Sequence, residues 1–321
     1  MGDASPPHGS PDSRDAVLTP AQCHPRQRYV FAAALPVAAI AIVSLFAGST
    51  WLGGLCRHWS HLAAVLLLLA LPLCWPLRRR MLLLAIAALA GAWPWVLTTF
   101  HTRAPSTDHG ISVLSANLYD FNRRRSEVLA SVLAKDADLV GVQEVLADDE
   151  ARFATRWPYR VWTPGRELLA SALLSRHPII HSTVHDLDGF ALIDADVALP
   201  EGTLRVLVVH LWSPKKPSSA SRRDAQLQRL ADLIAERAGP VLLLGDHNCT
   251  LASPAIAVLR EVGLLPPPGL RPATWPAWLG PCGTDLDQMF GRGVRLSPAT
   301  PVTLPGSDHR GLHLFLRLDV R

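Results

Sequence analysis

Charge is scarce in this sequence. Only 18% of its 321 residues are Asp, Glu, Lys or Arg, while 49% are hydrophobic; an ordinary soluble domain carries about 25% charged residues. Residues 29–55 and 81–100 contain no charge at all. Cysteine is also sparse, with five in the chain and no CxxC pair, which argues against a structural zinc site. No internal repeat is present, so a solenoid or propeller is excluded. A basic excess is missing where a polyanion binder would need it: residues 101–321 hold 24 basic and 24 acidic residues. The net charge of +4 and the pI near 9.0 arise within residues 1–100, from seven Arg against three Asp. Nucleic acid is therefore a less favoured partner.

What is present divides the chain in three. Residues 1–28 are rich in Pro, Ser, Asp and His without periodicity and read as a disordered tail. Residues 29–100 hold three apolar segments, at 29–55, 61–77 and 81–100. A bilayer core takes roughly 20 apolar residues per helix, so these read as a membrane anchor of three transmembrane helices. The alternative, a signal peptide followed by buried core helices, does not suit three such stretches in succession. Arg26 and Arg28 precede the first segment, and Arg78, Arg79 and Arg80 separate the second from the third. The positive-inside rule then places the N-terminus in the cytoplasm and residues 101–321 outside, as a multi-pass protein of the cell membrane.

Residues 101–321 have α/β patterning. Strands are expected at 111–118, 139–145, 158–163, 171–175, 190–198, 203–211, 241–244, 285–290 and 312–318. Helices are expected after a Ser126 cap, with Val128, Leu129, Val132 and Leu133 on one face, and over residues 219–238, stopping at Gly239-Pro240. Polar residues recur where the apolar runs stop: Asn117, Glu144, His210, Asp246, Asn248, Asp287, Asp308 and His309. Ligands of α/β proteins bind at strand ends. Carboxylates and an amide oxygen are hard ligands suited to Mg²⁺ or Mn²⁺. Histidines can contact phosphoryl oxygens, and an Asp can fix a His tautomer. Each residue taken singly is as well explained as a turn or cap residue; their order along the chain is the signal.

That order, Ser115-Ala116-Asn117-Leu118, Val142-Gln143-Glu144, Leu174-Ser175-Arg176, Val209-His210, Gly245-Asp246-His247-Asn248, Leu286-Asp287 and Ser307-Asp308-His309-Arg310, resembles the endonuclease/exonuclease/phosphatase superfamily over residues 109–319. The resemblance implies a four-layer α/β sandwich with two mixed β-sheets. It implies that Glu144 holds a divalent metal with Asn117 and Asp308, that Asp246 and Asn248 position water and phosphate, that His210 and His309 contact phosphate, and that Asp287 orients His309. His247, Gln288 and Gly311 depart from the family pattern in the walls of the site. The anchor resembles that of a bacterial subgroup of membrane-attached members which includes the teicoplanin-resistance protein. This implies a phosphatase or pyrophosphatase acting on a lipid-linked phosphate such as undecaprenyl pyrophosphate at the outer membrane face, linked to glycopeptide resistance. Rival readings are a surface nuclease, a phospholipase-C-type phosphodiesterase, and an inactive domain that only binds phosphorylated ligands.

Three further features stay open. Residues 123–125 form an Arg run beside a helix start, ordinarily a solvated face. The loop with Lys215, Lys216, Arg222 and Arg223 is a lid or a plain surface loop, and Trp275 and Trp278 rim the site, touch lipid or pack in the core. If Asn248 and Asp287 line one site, Cys249 and Cys282 lie on neighbouring loops. An oxidising compartment would let them bridge, with two separate thiols as the alternative.

Overall fold

The computed structural model describes residues 25–46, 49–73, 78–99, 110–163 and 170–319. The expected tail therefore lies outside the described residues except for 25–28, which already belong to the first helix.

The N-terminal region holds three helices: α1 (Pro25–Phe46), α2 (Trp51–Ala70) and α3 (Arg78–Thr99). The first apolar stretch is not one span. Thr50 accepts a hydrogen bond from the Gly53 amide and caps a new helix, so residues 51–55 open α2. Two helices, α1 and α2, are long and apolar enough to cross a membrane, and the apolar part of α3 is the shorter Met81–Trp93. The bundle's interior is built from small residues: Ala34, Ala38 and Ala41 of α1 meet Ala63 of α2 and Ala87 and Ala88 of α3. At Gly91 a Cβ would stand 2.8 Å from the Ser60 carbonyl, so the α2–α3 approach needs glycine there. Most large side chains point outward, with Leu69, Leu82 and Leu89 all more than 60% exposed. Among the described residues, Leu67 and Leu84 are the two large side chains buried among these alanines, and small residues at helix–helix contacts with most leucines outside is the arrangement expected where helices are solvated by lipid.

The remaining elements are β1 (Ile111–Asn117), α4 (Arg125–Lys135), β2 (Leu139–Gln143), α5 (Glu150–Phe153), β3 (Tyr159–Trp162), β4 (Ser171–Ser175), β5 (Ile179–Leu187), β6 (Phe190–Leu199), β7 (Gly202–His210), α6 (Pro217–Ala235), β8 (Val241–Asp246), α7 (Ala257–Glu261), β9 (Asp287–Arg292), β10 (Val294–Leu296), β11 (Thr300–Val302) and β12 (Gly311–Leu318). They form two mixed sheets, ordered β10-β12-β1-β2-β4-β3, with β11 also on β12, and β5-β6-β7-β8-β9. The period-two alternation of strands decides the layers. Val113, Leu139, Val208, Leu242 and Leu244 point into the core between the sheets. Leu114, Val140 and Val142 point outward under Val128, Leu129 and Val132 of α4, while Leu207, Leu243 and Phe290 lie under Leu227, Leu230 and Ile234 of α6. Each fully buried leucine contributes about 1.5–3 kcal/mol relative to exposure. The result is the expected four-layer sandwich.

Gly141 lets the sheets close, because a Cβ there would come within 2.7 Å of Leu244 Cδ1.

Several sequence expectations need correction. Ser126 is inside the first turn of α4, whose N-cap is Arg124 without a side-chain bond. The edge strand β5 was not expected; most of its side chains face solvent, so no apolar alternation announces it. The Cys249–Cys282 bridge is not formed. Cys249 is fully buried in the α6 side of the core, Cys282 is exposed, and both are free thiols. Burial pushes the Cys249 thiol up to about 12, which keeps it inert.

Candidate active site

Strand register assembles the site. In the parallel pair β1–β2, Asn117 lies opposite Gln143, which puts Glu144 just past the strand end beside it. In sheet β5–β9, the parallel pair β7–β8 sets His210 opposite Asp246, and the antiparallel pair β8–β9 sets Asp246 opposite Asp287. Three polar side chains thus stand in a row across one sheet and face the strand ends of the other.

The side chains converge as the register requires. Asn117 Nδ2 donates to Glu144 Oε1 at 3.0 Å and to Asp246 Oδ2 at 3.2 Å. His210 Nε2 is 3.9 Å from Glu144 Oε1 and 3.8 Å from Asp246 Oδ2. His309 Nδ1 is hydrogen-bonded to Asp287 Oδ2 at 2.7 Å, and its Nε2 faces Asp246 Oδ2 at 3.8 Å and Asp308 Oδ1 at 4.0 Å. The Asn248 backbone amide donates to Asp246 Oδ1, and Asn248 Nδ2 donates to the Leu211 carbonyl. All eight residues singled out in the sequence therefore meet at one end of the sandwich.

Two of them carry local backbone strain. Glu144 and Asn248 have φ of 57° and 49°. Asn tolerates the left-handed region; for a glutamate it costs about 1–3 kcal/mol and persists only where neighbours enforce it. The enforcer is Arg125, whose guanidinium donates to the Glu144 and Tyr119 carbonyls and pairs with buried Asp149. The Asp120 amide binds Glu144 Oε2 at 2.8 Å. Arg125 was hidden in an arginine run that reads as a solvated face, and composition alone could not single it out. Gly245 has φ of 138°, and a Cβ there would meet the Val209 carbonyl at 2.0 Å, so the turn of chain that aims Asp246 requires glycine.

Burial and like charge dominate the electrostatics. Burial, reinforced by the Asp287 and Glu144 carboxylates, raises Asp246 to about 7 despite the opposing pull of His309. Burial alone would lower His309, but the carboxylates of Asp287 and Asp246 outweigh it and hold the imidazolium up to about 10. Burial lowers His210, and Glu144 only partly offsets this. The donor set suits a hard dication: crowded carboxylates gain most from one. Asp246, Asp287 and His309 have ligand atoms within 4.8 Å of one another. Asp287 Oδ2 accepts the hydrogen bond of His309 Nδ1, while its buried Oδ1 has no hydrogen-bond partner among the described residues. An Asn117 that ligates would present its oxygen rather than the NH₂ now turned to the carboxylates, which needs the opposite amide rotamer.

The departures from the expected walls have local reasons. His247 fills an aromatic position, edge-on to Phe290 at 5.4 Å, and burial lowers it to about 4. Gln288 Nε2 ties the Cys249 and Asp285 carbonyls together. Residues 211–216 are not free, because Trp51 Nε1 of α2 donates to the Pro214 carbonyl at 2.8 Å, and Arg222 and Arg223 lie in α6 rather than in that loop. Trp275 rims the site, donating Nε1–H to Asp308 Oδ2 at 3.2 Å, while Trp278 is 80% exposed.

The Endonuclease/Exonuclease/phosphatase family model matches residues 113–309, more than half of the chain, and the chain belongs to that family. Its members are hydrolases of phosphoester bonds and generally depend on a divalent metal. A UPF0294 protein of Klebsiella pneumoniae (strain 342) is 26% identical over 244 residues, 69% of this chain and 88% of its own. The D. rerio TDP2 structure complexed with a single strand DNA product has a TM-score of 0.53 at 18% identity, covering 65% of this chain and 100% of that one. Sphingomyelinase C from Streptomyces griseocarneus has a TM-score of 0.50 at 18% identity, covering 64% and 99%. At this identity both likenesses show the fold alone.

Proposed function

We propose that the protein is a membrane-anchored, Mg²⁺- or Mn²⁺-dependent phosphatase or pyrophosphatase acting on a lipid-linked phosphate at the outer face of the membrane. The observation that carries this reading is where the anchor sits. Helix α2 contacts the loop after His210 through Trp51, and the loop after Asn248 through the bond of Arg57 to the Ala252 carbonyl. It also reaches the segment before Asp287, where His61 Nε2 bonds the Gly283 carbonyl at 3.1 Å. All three loops belong to the catalytic end of the sandwich. The anchor thus holds the strand ends, rather than the back of the domain, toward the bilayer. Zero net charge over residues 101–321 gives nucleic acid no general attraction.

In this reading Glu144, Asn117 and Asp308 hold the cation, which when bound polarises the phosphoryl oxygens and lowers the pKa of a coordinated water. Asp246 and Asn248 orient the water that attacks phosphorus, and Asp246 accepts its proton as the bond to the leaving oxygen breaks. His309, kept cationic by Asp287, donates a hydrogen bond to the phosphoryl group and a proton toward the leaving oxygen, and His210 contacts a second oxygen. Hydrolysis of a polyprenyl carrier on that face would bear on cell-wall assembly, which is where a link to glycopeptide resistance would lie.

The substrate test uses full-length protein in detergent with polyprenyl pyrophosphate, phospholipids, and single- and double-stranded DNA. Phosphate released from the polyprenyl lipid is expected. DNA cleavage without that release would establish a nuclease, choline or diacylglycerol release a phospholipase-C-type enzyme, and binding without turnover an inactive domain. Orientation has its own test, resting on Arg26, Arg28 and residues 78–80 and on the 22-residue α3 crossing as a third span. A reporter fused after Arg321 is expected to be active only outside the cytoplasm, and one at Arg79 only inside; the reverse pattern overturns the orientation.

A further inference from the structure

We propose that helix α2 is a structural part of the active site: through Trp59 and His61 it clamps the 274–284 loop, and through Trp275 of that loop it positions the Asp308 carboxylate. This rests on the hydrolase reading only in giving Asp308 a place in the metal site.

The contacts run without a gap. The Trp59 ring lies against the Trp275 ring, with centroids 6.1 Å apart and planes tilted by 53°. Two residues further along the same helix, His61 bonds the Gly283 carbonyl at the far end of the loop. The loop is a closed unit, because Trp275 and Thr284 exchange backbone hydrogen bonds in both directions at 2.9 and 2.6 Å. Trp59 and His61 therefore hold its two legs. From this loop three bonds reach the site. Trp275 Nε1–H binds Asp308 Oδ2, the Ala277 amide binds the Asp308 carbonyl at 2.7 Å, and Thr274 Oγ1 receives the Asp287 amide at 3.0 Å. Helix α2 is itself braced from behind, since Trp95 of α3 donates to Ser60 Oγ at 3.0 Å and sets its ring edge against His61 at 4.7 Å.

The physical need for such a clamp is local. The Asp308 side chain is 42% exposed and makes no ion pair with Arg or Lys among the described residues. A half-exposed carboxylate samples several rotamers, and losing that freedom on metal binding weakens the site. A neutral indole donor fixes one oxygen without neutralising the charge that the cation needs. Partners one layer behind a metal ligand set its orientation, and their loss typically weakens metal affinity or activity by about 10–100-fold. What is unusual is that the last link, Trp59, belongs to the membrane anchor. The metal site is complete only when the anchor is docked.

The experiment uses the full-length chain in lipid nanodiscs. Binding of Mn²⁺ is measured without substrate by the resonance of free ion, and turnover by hydrolysis of water-soluble p-nitrophenyl phosphate, bis(p-nitrophenyl) phosphate and a short-chain prenyl pyrophosphate. Trp59→Ala and Trp275→Phe, the second keeping the ring and deleting the donor, are each expected to weaken Mn²⁺ binding about 10-fold. Trp59→Phe retains the ring contact and is expected to restore binding. Trp93→Ala, an exposed tryptophan on α3, is expected to change nothing. Combining Trp59→Ala with Asp308→Asn is expected to be no worse for Mn²⁺ than Asp308→Asn alone. Unaltered Mn²⁺ binding in Trp275→Phe, or full additivity in the double variant, overturns the clamp. Trp275→Phe decides the matter if Trp59→Ala fails to fold. A chain that shows the expected Mn²⁺ dependence but hydrolyses none of the three substrates keeps the clamp and removes the hydrolase reading.

Discussion

Glu144→Gln is expected to lower metal-dependent hydrolysis at least about 100–1,000-fold, since a cation's transition-state stabilisation is worth several kcal/mol and each 1.36 kcal/mol is tenfold in rate. The substitution keeps the shape of the side chain and can still accept the Asp120 amide. The strained backbone at Glu144 is held by Arg125 through the main-chain carbonyl, not through the carboxylate. Folding should therefore survive, with the melting temperature moving by no more than about 2–4 °C, the shift expected for 1 kcal/mol in a domain of this size. What is lost is one negative charge from a group that also contains Asp246. Kinetics against Mn²⁺ concentration, together with thermal melting, checks both halves. Full activity of the wild-type protein in EDTA, or of Glu144→Gln at saturating metal, would remove Glu144 from the metal site.

Asp287→Asn acts on a different group. The imidazolium of His309 is buried, which alone would lower it, and the Asp287 and Asp246 carboxylates raise it to about 10. A raised value means that the cationic form persists at neutral pH and is lost only as pH climbs through that value. Removing the Asp287 charge takes away the largest support, so His309 loses its proton at lower pH and the alkaline limb of the rate profile moves toward neutrality. Turnover at pH 7 is expected to fall about 100-fold or more, the usual weight of a positioned proton donor. The asparagine also leaves the tautomer unfixed, so raising acidity should recover only part of the loss. A profile of kcat against pH for both proteins checks this, and an alkaline limb that stays in place would release His309 from the donor role.

The legible part of this fold is the part buried on both faces. Strands β1, β2, β7 and β8 are central, so they are mainly apolar and end abruptly where the site begins, which is why Asn117, Glu144, His210 and Asp246 stood out. Strand β5 lies on a sheet edge with polar His181, Ser182 and Thr183 toward solvent, and it left no such trace. Strands β10 and β11 have three residues each, too few for a period to show. Arg125 was read as a surface charge because composition does not reveal which of three consecutive arginines turns inward. The docking of α2 was invisible for another reason: hydropathy merges residues 51–55 with α1 and hides the cap at Thr50. A tryptophan such as Trp59 looks the same to hydropathy whether it faces lipid or another indole.

The pairing of β1 with β12 has a consequence for biogenesis. Ile111 lies opposite Leu316 and Ser115 opposite Leu312, so a central strand of its sheet takes as neighbour a segment made about two hundred residues later. At roughly 5–20 residues per second, synthesis of that interval takes on the order of 10–40 s. Over that time β1 lacks a neighbour on one side and neither Asp308 nor His309 exists. The nascent chain therefore remains an incompetent precursor throughout that interval. Catalytic competence arrives in one step, when the final strand closes the sheet and delivers two active-site residues with it.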